Sequence, residues 1–425
     1  MTNSQSILIV DDSAIIQQTT KLIILKANLE AQRIYCASNP QDAVKLYQRN
    51  LFDIIFIDFN LGLGSTGLQL LERLHFNKLI TPNPLIFIVT ADDSGSILMG
   101  FSEYQPTDYL IKPFRLETLT ARINYHLNKR IFDDAVFNTY HSKGWFGVQR
   151  FLENHSYCDK YWSGVTTLAK RLLINNDIDK FDDIEMMLED ILQQNEYVPA
   201  QLLLAQLLLT QNKFEQLTPL LTSINSSSSK QHLSLLDLKA RSAIKQNRIS
   251  MGYEFWLAAH KLSRNNLYRL FGLIWIEFCL QHDTEIERHI REACATLRYS
   301  IWDKPQNYAF LVWVQLHLSA KKNVSVEKLW GIINQQQKIT KHDRAYLYLL
   351  QAYQATETQS NLVAYRDFMT AVSSIEAIEQ HEVSSEFLII GFILQFNSIN
   401  ALYHEFSTLT FKFNPSFLFP NGSTI

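Results

Sequence analysis

The sequence predicts an α/β domain with a parallel sheet, followed by an all-α region. Three observations carry this reading. Short β-branched runs alternate with helical stretches between residues 7 and 115, apolar residues then fall at helical spacing after Pro113, and no β-type alternation returns before about residue 413. The chain has material for more than one core, with 425 residues of which 47% are hydrophobic and 19% charged.

The first strand is Ile7 to Val10, and a helix follows through Ile15 to Leu25. Asp53 to Phe59 reads as a buried strand before a helix at Gly67 to Leu74, and Leu85 to Thr90 as another before a helix at Ser94 to Tyr104. Tyr109 to Ile111 closes the series before Lys112-Pro113. Strands separated by helices imply right-handed crossovers and a sheet covered on both faces. Leu116, Leu119, Ile123, Leu127 and Ile131 then repeat in steps of three and four, with no Gly or Pro until Gly144. That spacing fits one long helix leaving the first domain.

Sliding the remaining chain against itself gives its best match at 35 residues, near the period of two-helix solenoid units. Gln211, Gln246 and Gln281 share a column beside Leu203/Leu238/Leu273, Ala205/Ala240/Trp275, Leu208/Ala243/Phe278, Leu220/Phe255/Ile290 and Ile224/Ala259/Cys294. A fourth, weaker copy keeps Tyr308, Phe310, Trp313 and Leu329, and a fifth keeps Ala345, Tyr348, Gln351 and Ala364. The segment Pro199 to Leu217 resembles a tetratricopeptide repeat, with small Ala205 where two helices cross and a polar turn at Gln211-Asn212-Lys213. The expected organisation is a first domain at 1–126, a linker helix region at 127–155, a tetratricopeptide-like all-α output domain at 156–413 and a frayed tail at 414–425.

Charge and composition narrow the function. Lys plus Arg number 39 against 42 Asp plus Glu, a net charge of −3, and neither part of the chain is basic. Such a balance lacks the positive field that draws proteins onto phosphate backbones, so nucleic acid is not the expected partner. The most apolar stretches, Phe387 to Phe396 and Leu270 to Leu280, carry Gln395 and Glu277 and fall short of a bilayer crossing, so no membrane insertion is expected. The polar start Met1 to Ser6 leaves no room for a signal core, and Cys36, Cys158, Cys279 and Cys294 have no zinc-like spacing. A cytoplasmic location is expected.

The polar residues at the strand ends carry the chemistry. Asp11 and Asp12 follow the first strand, Asp58 ends the third, Thr90 the fourth, and Lys112 the fifth. In an open parallel sheet the carboxyl ends of the strands line one crevice, so these five would meet. Three carboxylates that close raise one another's pKa unless a cation sits among them, and a hard divalent ion held by oxygens is the ordinary solution. Mg²⁺ is the expected metal. The string Gly62-x-Gly64-x-x-Gly67 matches a dinucleotide fingerprint, but it follows the third strand where the fingerprint needs the first, and Asp58 beside it would repel a pyrophosphate.

With these residues in these positions, residues 5 to about 126 resemble the receiver domain of bacterial response regulators, a flavodoxin-like fold with a five-stranded parallel sheet. The resemblance implies that Asp58 is the phosphoacceptor and that Asp11, Asp12 and Asp58 hold Mg²⁺ with the Asn60 backbone carbonyl. Thr90 would hydrogen-bond the phosphoryl group and Lys112 pair with its charge. Thr90 and Tyr109 would act as a switch pair. One departure is the loop after Asp58, which runs Asn60 to Gly67 without the usual Pro and is one residue longer. Asn60 and Asp92, each two residues past a site residue, put polar groups near the path of a hydrolytic water, so fairly fast self-dephosphorylation is expected.

The function these features imply is a two-component response regulator, phosphorylated by a cognate histidine kinase, whose helical domain binds a protein partner in a phosphorylation-dependent way. It would not itself be an enzyme beyond this phosphoryl chemistry. The alternative is a receiver-regulated phosphatase or hydrolase in the helical domain, for which 156–413 offers no metal or nucleophile cluster. A homodimer is among the states the sequence allows.

Overall fold

A computed structural model describes residues 5–26, 31–62, 66–76, 84–91, 99–101, 104, 106–153, 159–174, 178–298, 300–303, 307–308, 310–312, 314–315 and 318. By its contacts the chain divides at Asn266/Leu267 into two compact units.

The first unit begins with a five-stranded sheet of β1 (Gln5–Val10), β2 (Ala31–Ala37), β3 (Ile54–Asp58), β4 (Leu85–Thr90) and β5 (Asp108–Ile111). The spatial order is β2-β1-β3-β4-β5 and every pairing is parallel. Helices α1 (Ala14–Lys26), α2 (Pro40–Arg49) and α3 (Gly67–Phe76) follow the first three strands, and residues 99–101 are helical after β4. Four strands match the expected runs closely. The sequence reading did not single out β2, whose Ala-Gln-Arg-Ile-Tyr-Cys-Ala mixes polar and apolar residues as an edge strand can.

Both faces of the sheet are buried, which explains the unbroken apolar runs of β1, β3 and β4. On one face Leu8, Val10, Ile55, Ile57, Ile86 and Ile88 pack with Ala43, Tyr47, Leu71 and Phe101. On the other Ile7, Ile9, Phe56, Phe87 and Val89 pack with Ile24, Leu119 and Ile123. Alternate residues of each strand serve opposite faces, so a one-residue slip would exchange the two sets. The start of α2 is fixed by Asn39, whose side chain accepts from the Asp42 amide at 2.9 Å, with Pro40 in the first turn.

The long helix α4 (Leu116–Glu153) leaves the sheet as expected, but it is not one continuous helix. At Gly144 the backbone takes φ 66° and ψ −169°, outside the helical region. Upstream of that break, Leu119 and Ile123 cover the sheet. Val136 and Tyr140 already belong to a second core with α5 (Asp159–Ile174), α6 (Phe181–Gln194), α7 (Val198–Thr210) and α8 (Phe214–Ser223). Polar ties reinforce it. Arg171 Nη1 pairs with Asp134 Oδ1 at 2.8 Å, the Tyr140 hydroxyl donates to Asp183 Oδ2, and Lys213 Nζ meets Glu185 Oε2 at 2.7 Å.

Helices α9 (Ser229–Lys245) and α10 (Ile249–Leu262) complete the first unit, and α11 (Leu267–Leu280) and α12 (Asp283–Leu297) open the second. The 35-residue period appears in the helix bounds, because α7, α9 and α11 end at 210, 245 and 280. A left-handed residue follows each within two positions: Asn212 (φ 57°), Asn247 (φ 60°) and Gln281 (φ 60°). The first two turns have the same form, in which the Lys213 and Arg248 amides donate back to Leu208 and Ala243. The third is tighter by one residue, since α12 starts at 283 where the period would give 284. The small residues of the repeat sit inside, with Ala205, Ala240 and Ala259 fully buried.

Tyr308 and Phe310 of the fourth copy are buried. Trp313, Leu329, the whole fifth copy and the tail lie outside the described residues, as do Asp92 and most of Ser94 to Tyr104.

Candidate functional site

The carboxyl ends of β1 and β3 bring Asp11, Asp12 and Asp58 together, with carboxylate oxygens all within 4.8 Å of one another. Asp11 and Asp58 are buried and Asp12 is exposed. From the end of β5, Lys112 Nζ reaches Asp11 Oδ2 at 2.8 Å and Asp58 Oδ1 at 3.0 Å, and its peptide bond to Pro113 is cis. Thr90 is buried at the end of β4, the strand beside β3. Four of the five expected strand-end residues are thus joined by geometry, and the fifth stands on the adjacent strand.

Burial pushes the Asp58 carboxyl above its ordinary range, and the negative charges of Asp11 and Asp12 add to this against the opposing pull of Lys112. Burial also acts to lower the Lys112 ammonium, but its hydrogen bonds and charge pairing with Asp11 and Asp58 outweigh this and hold it above its usual value. Three carboxylates thus face one lysine, in a set of oxygen donors suited to a hard divalent ion.

The loop between β3 and α3 is shaped around this cluster. Gly62 has φ +68°, and a Cβ there would stand 3.0 Å from Asp12 Oδ2. At Gly67 a Cβ would lie 2.2 Å from the Asp58 carbonyl oxygen, so only glycine allows α3 to start so close to the site. Asn60 is exposed, pairs with Thr66 across the loop as an antiparallel bridge, and accepts the Gly62 amide on its side chain at 3.4 Å. Thr66 and Gln69 cap α3 reciprocally, each side chain accepting the other's amide. Gly64, the middle glycine of the dinucleotide-like string, lies outside the described residues.

Tyr109 on β5 is half-buried, and burial together with the Asp108 charge pushes its hydroxyl pKa up. Next to it, Asp108 accepts from Arg122 Nη1 at 3.1 Å and lies 3.2 Å from His126 Nε2, tying β5 to α4.

One residue escaped the sequence reading. Gln17 is buried on α1, and its Nε2 donates to the Asp11 carbonyl at 2.7 Å, the Ala37 carbonyl at 3.1 Å and Ser38 Oγ at 3.1 Å. It clamps the ends of β1 and β2 just where Asp11 leaves the sheet, while the Ser13 amide donates to Asp11 Oδ1 at 2.9 Å. The available signal was its spacing: Gln17, Thr20 and Ile24 lie on one buried face of α1, and a glutamine there needs buried partners.

Residues 7–124 match the family model described as "Response regulator receiver domain". The N-terminal domain is a response regulator receiver. The receiver is similar to the transcriptional regulatory protein CrdR of Helicobacter pylori, 27% identical over 130 residues that make up 31% of this chain and 56% of the relative. It is similar as well to the sensory transduction protein LytR of Staphylococcus epidermidis, 31% identical over 28% of this chain and 44% of that protein. A cyclic di-GMP phosphodiesterase of Thermotoga maritima matches at 28% identity over 30% of this chain and 32% of its own. Among solved structures, the Vibrio cholerae chemotaxis protein CheY4 is 25% identical with a TM-score of 0.26, covering 28% of this chain and 97% of that one. The chain spans about half the length of the curated transcriptional regulators it matches first.

Beyond the receiver the described chain is helical, and no described helix is long and apolar enough to cross a membrane. In the second unit, His289 Nδ1 lies 2.9 Å from Glu277 Oε2, with the two side chains 1% and 0% exposed. Arg288 Nη2 lies 3.2 Å from the other ring nitrogen. A guanidinium only donates, so His289 accepts there and carries its proton toward Glu277. The pair is buried where α11 meets α12.

Proposed function

We propose that this chain is a two-component response regulator that takes a phosphoryl group on Asp58 from a histidine kinase and passes the change to its helical region, which binds a protein partner. The observation that carries the reading is the Asp58 carboxylate, held by Lys112 at 3.0 Å in a crevice shared with Asp11 and Asp12. An oxygen of Asp58 attacks phosphorus, forming an O–P bond as the bond to the departing imidazole or acetate breaks. Lys112 remains on the charge that develops, and Thr90 meets the phosphoryl oxygens from the neighbouring strand. Asp11, Asp12, Asp58 and the Asn60 carbonyl are the groups that would hold Mg²⁺, which when bound neutralises charge on the transferring group. The all-oxygen, over-acidic donor set fits that ion. Tyr109 is the partner of Thr90 in the switch, and Asn60 with Asp92 governs loss of the phosphoryl group.

Incubation with acetyl phosphate and Mg²⁺, followed by mapping of the adduct by mass spectrometry, tests this. Label is expected on Asp58 and absent from Asp58→Asn. Labelling of that variant at the wild-type level would refute the assignment.

A further inference from the structure

Three basic side chains from three helices of the first unit meet at a place the phosphoryl chemistry does not use. His75 lies in the last turn of α3, Lys170 near the end of α5 and Lys230 in the first turn of α9. Helix α9 is buried on two sides. Leu235 and Leu238 enter the core that holds Val165, Leu168 and Ala169 of α5, while Leu233 and Leu236 pack with Met99. Lys230 precedes Leu233 by one turn and so lies along the Met99 side. Five residues after Met99, the Tyr104 ring stands 5.6 Å from that of His75, and the Tyr104 carbonyl accepts a hydrogen bond from His75. Lys170, beside the buried Ala169, completes the group: its charge acts on His75, and that of Lys230 acts on it.

His75 and Lys230 are exposed and Lys170 is half-buried. The protein packed around them nevertheless holds all three below their ordinary pKa values, Lys170 at about 8 with the charge of Lys230 adding to the effect of burial. Charged tips that reach solvent between protein walls focus their field outward, because the low-dielectric sides do not screen it. The neighbouring charges are placed elsewhere. Arg171 pairs with Asp134 at 2.8 Å and lies over the Phe137 ring, and Glu72, one turn before His75, accepts the Tyr104 hydroxyl at 3.2 Å.

The donor set selects the ligand. An ammonium offers three donors that rotate to any direction, which suits a compact tetrahedral oxyanion, whereas a planar carboxylate is held best by the fork of an arginine. We propose that His75, Lys170 and Lys230 form a binding site for a phosphate-class oxyanion, free or carried by a small molecule. One nitrogen of His75 already donates to the Tyr104 carbonyl, so a proton taken up on the other lets the ring donate to the anion as well. The site is separate from the Asp58 crevice and needs no Mg²⁺.

The experiment labels the full chain with limiting acetic anhydride at neutral pH, in the presence of EDTA, and reads each lysine by mass spectrometry. The reagent takes the neutral amine, so Lys170 is expected to react faster than Lys45, an exposed lysine paired with Asp42. Saturating inorganic phosphate, at ionic strength held with chloride, should slow Lys170 by about tenfold and leave Lys45 unchanged. Lys230→Met keeps the aliphatic stem and removes the charge. It should weaken phosphate affinity about tenfold, as loss of a hydrogen bond to a charged group does, and Lys230→Arg should restore part of it. Adenosine monophosphate is the second probe: protection at a lower concentration than phosphate assigns the anion to a larger ligand, and protection at an equal or higher one assigns it to the free ion. Titration calorimetry with both probes gives the affinities independently of the labelling. Absence of binding by either probe, or binding unchanged in Lys230→Met, would overturn the site and leave the assignment of Asp58 untouched.

Discussion

The receiver and the helix pairs place their recurring polar residues in opposite ways. In the receiver, Asp11, Asp58, Thr90 and Lys112 are far apart in sequence, and the parallel sheet carries them to one edge, where Lys112 bridges Asp11 and Asp58 at 2.8 and 3.0 Å. Among the helices, Gln211, Gln246 and Gln281 are evenly spaced, and each stands at the end of the first helix of its own pair. Convergence produces a charged crevice that can do chemistry. Repetition produces turns closed by the backbone itself, as where the Lys213 and Arg248 amides donate back to Leu208 and Ala243.

The sharpest consequence of that difference concerns tolerance to a single methyl. At Gly67 the obstruction is the backbone of Asp58, which cannot rotate away, and Gly67→Ala should cost about 1–3 kcal/mol or more and lower the thermal midpoint of the receiver. A midpoint within error of wild type would mean that α3 can back away from the site. Next in size is Gln17→Ala, which leaves the Asp11 and Ala37 carbonyls short of a donor and loosens the acidic pair. Mg²⁺ affinity by titration calorimetry should fall about tenfold or more, as for other groups that orient metal ligands.

A smaller effect follows from charge. The folded-state pKa of Asp58 is raised, chiefly by burial, so its ionised form opposes folding above the unfolded-state value and costs nothing below it. Asp58→Asn should therefore be the more stable protein at neutral pH without Mg²⁺, and its advantage should shrink as pH falls through the ordinary carboxylate range. Thermal melts across pH 3 to 8, the span in which such a carboxyl titrates, check the sign. The least effect is expected in the helix pairs. Gln281 holds φ 60° where the first two turns have asparagine, so Gln281→Gly should stabilise the second unit by about 1 kcal/mol in denaturant unfolding.

The legibility of the sequence followed the same division. Strands β1, β3 and β4 announce themselves because both faces are buried and Ile7 to Val10, Ile54 to Ile57 and Leu85 to Val89 are wholly apolar, whereas β2, at the sheet edge, mixes Gln32 and Arg33 with Ile34, Tyr35 and Cys36 and gives little signal. The convergence of Asp11, Asp12, Asp58 and Lys112 was readable because an open parallel sheet brings its strand ends to one edge. Gln17 was not, because its partners are backbone carbonyls, and carbonyls have no sequence signature. The repeat was visible through its 35-residue period, yet the contact of Met99 with Leu233, Leu236 and Ala259 was hidden, since apolar residues that meet across long separations look like any other core.

The break at Gly144 has a mechanical meaning. A continuous α-helix is a stiff shaft that transmits torque, since every turn is locked to the one before, and α4 from Leu116 to the break would measure about 42 Å at 1.5 Å per residue. At Gly144 that lock is released, in a region of backbone space that glycine alone holds at little cost, and a Cβ there would meet nothing within 4 Å. Rotation of the shaft at the sheet end is therefore not handed on along the peptide chain. What reaches the residues beyond travels sideways, through Trp145, Val148 and Leu152 where they press on the helical core. The joint converts a rod into a hinge plate, so leverage on the helices acts at the packed surface and not at the end of the arm.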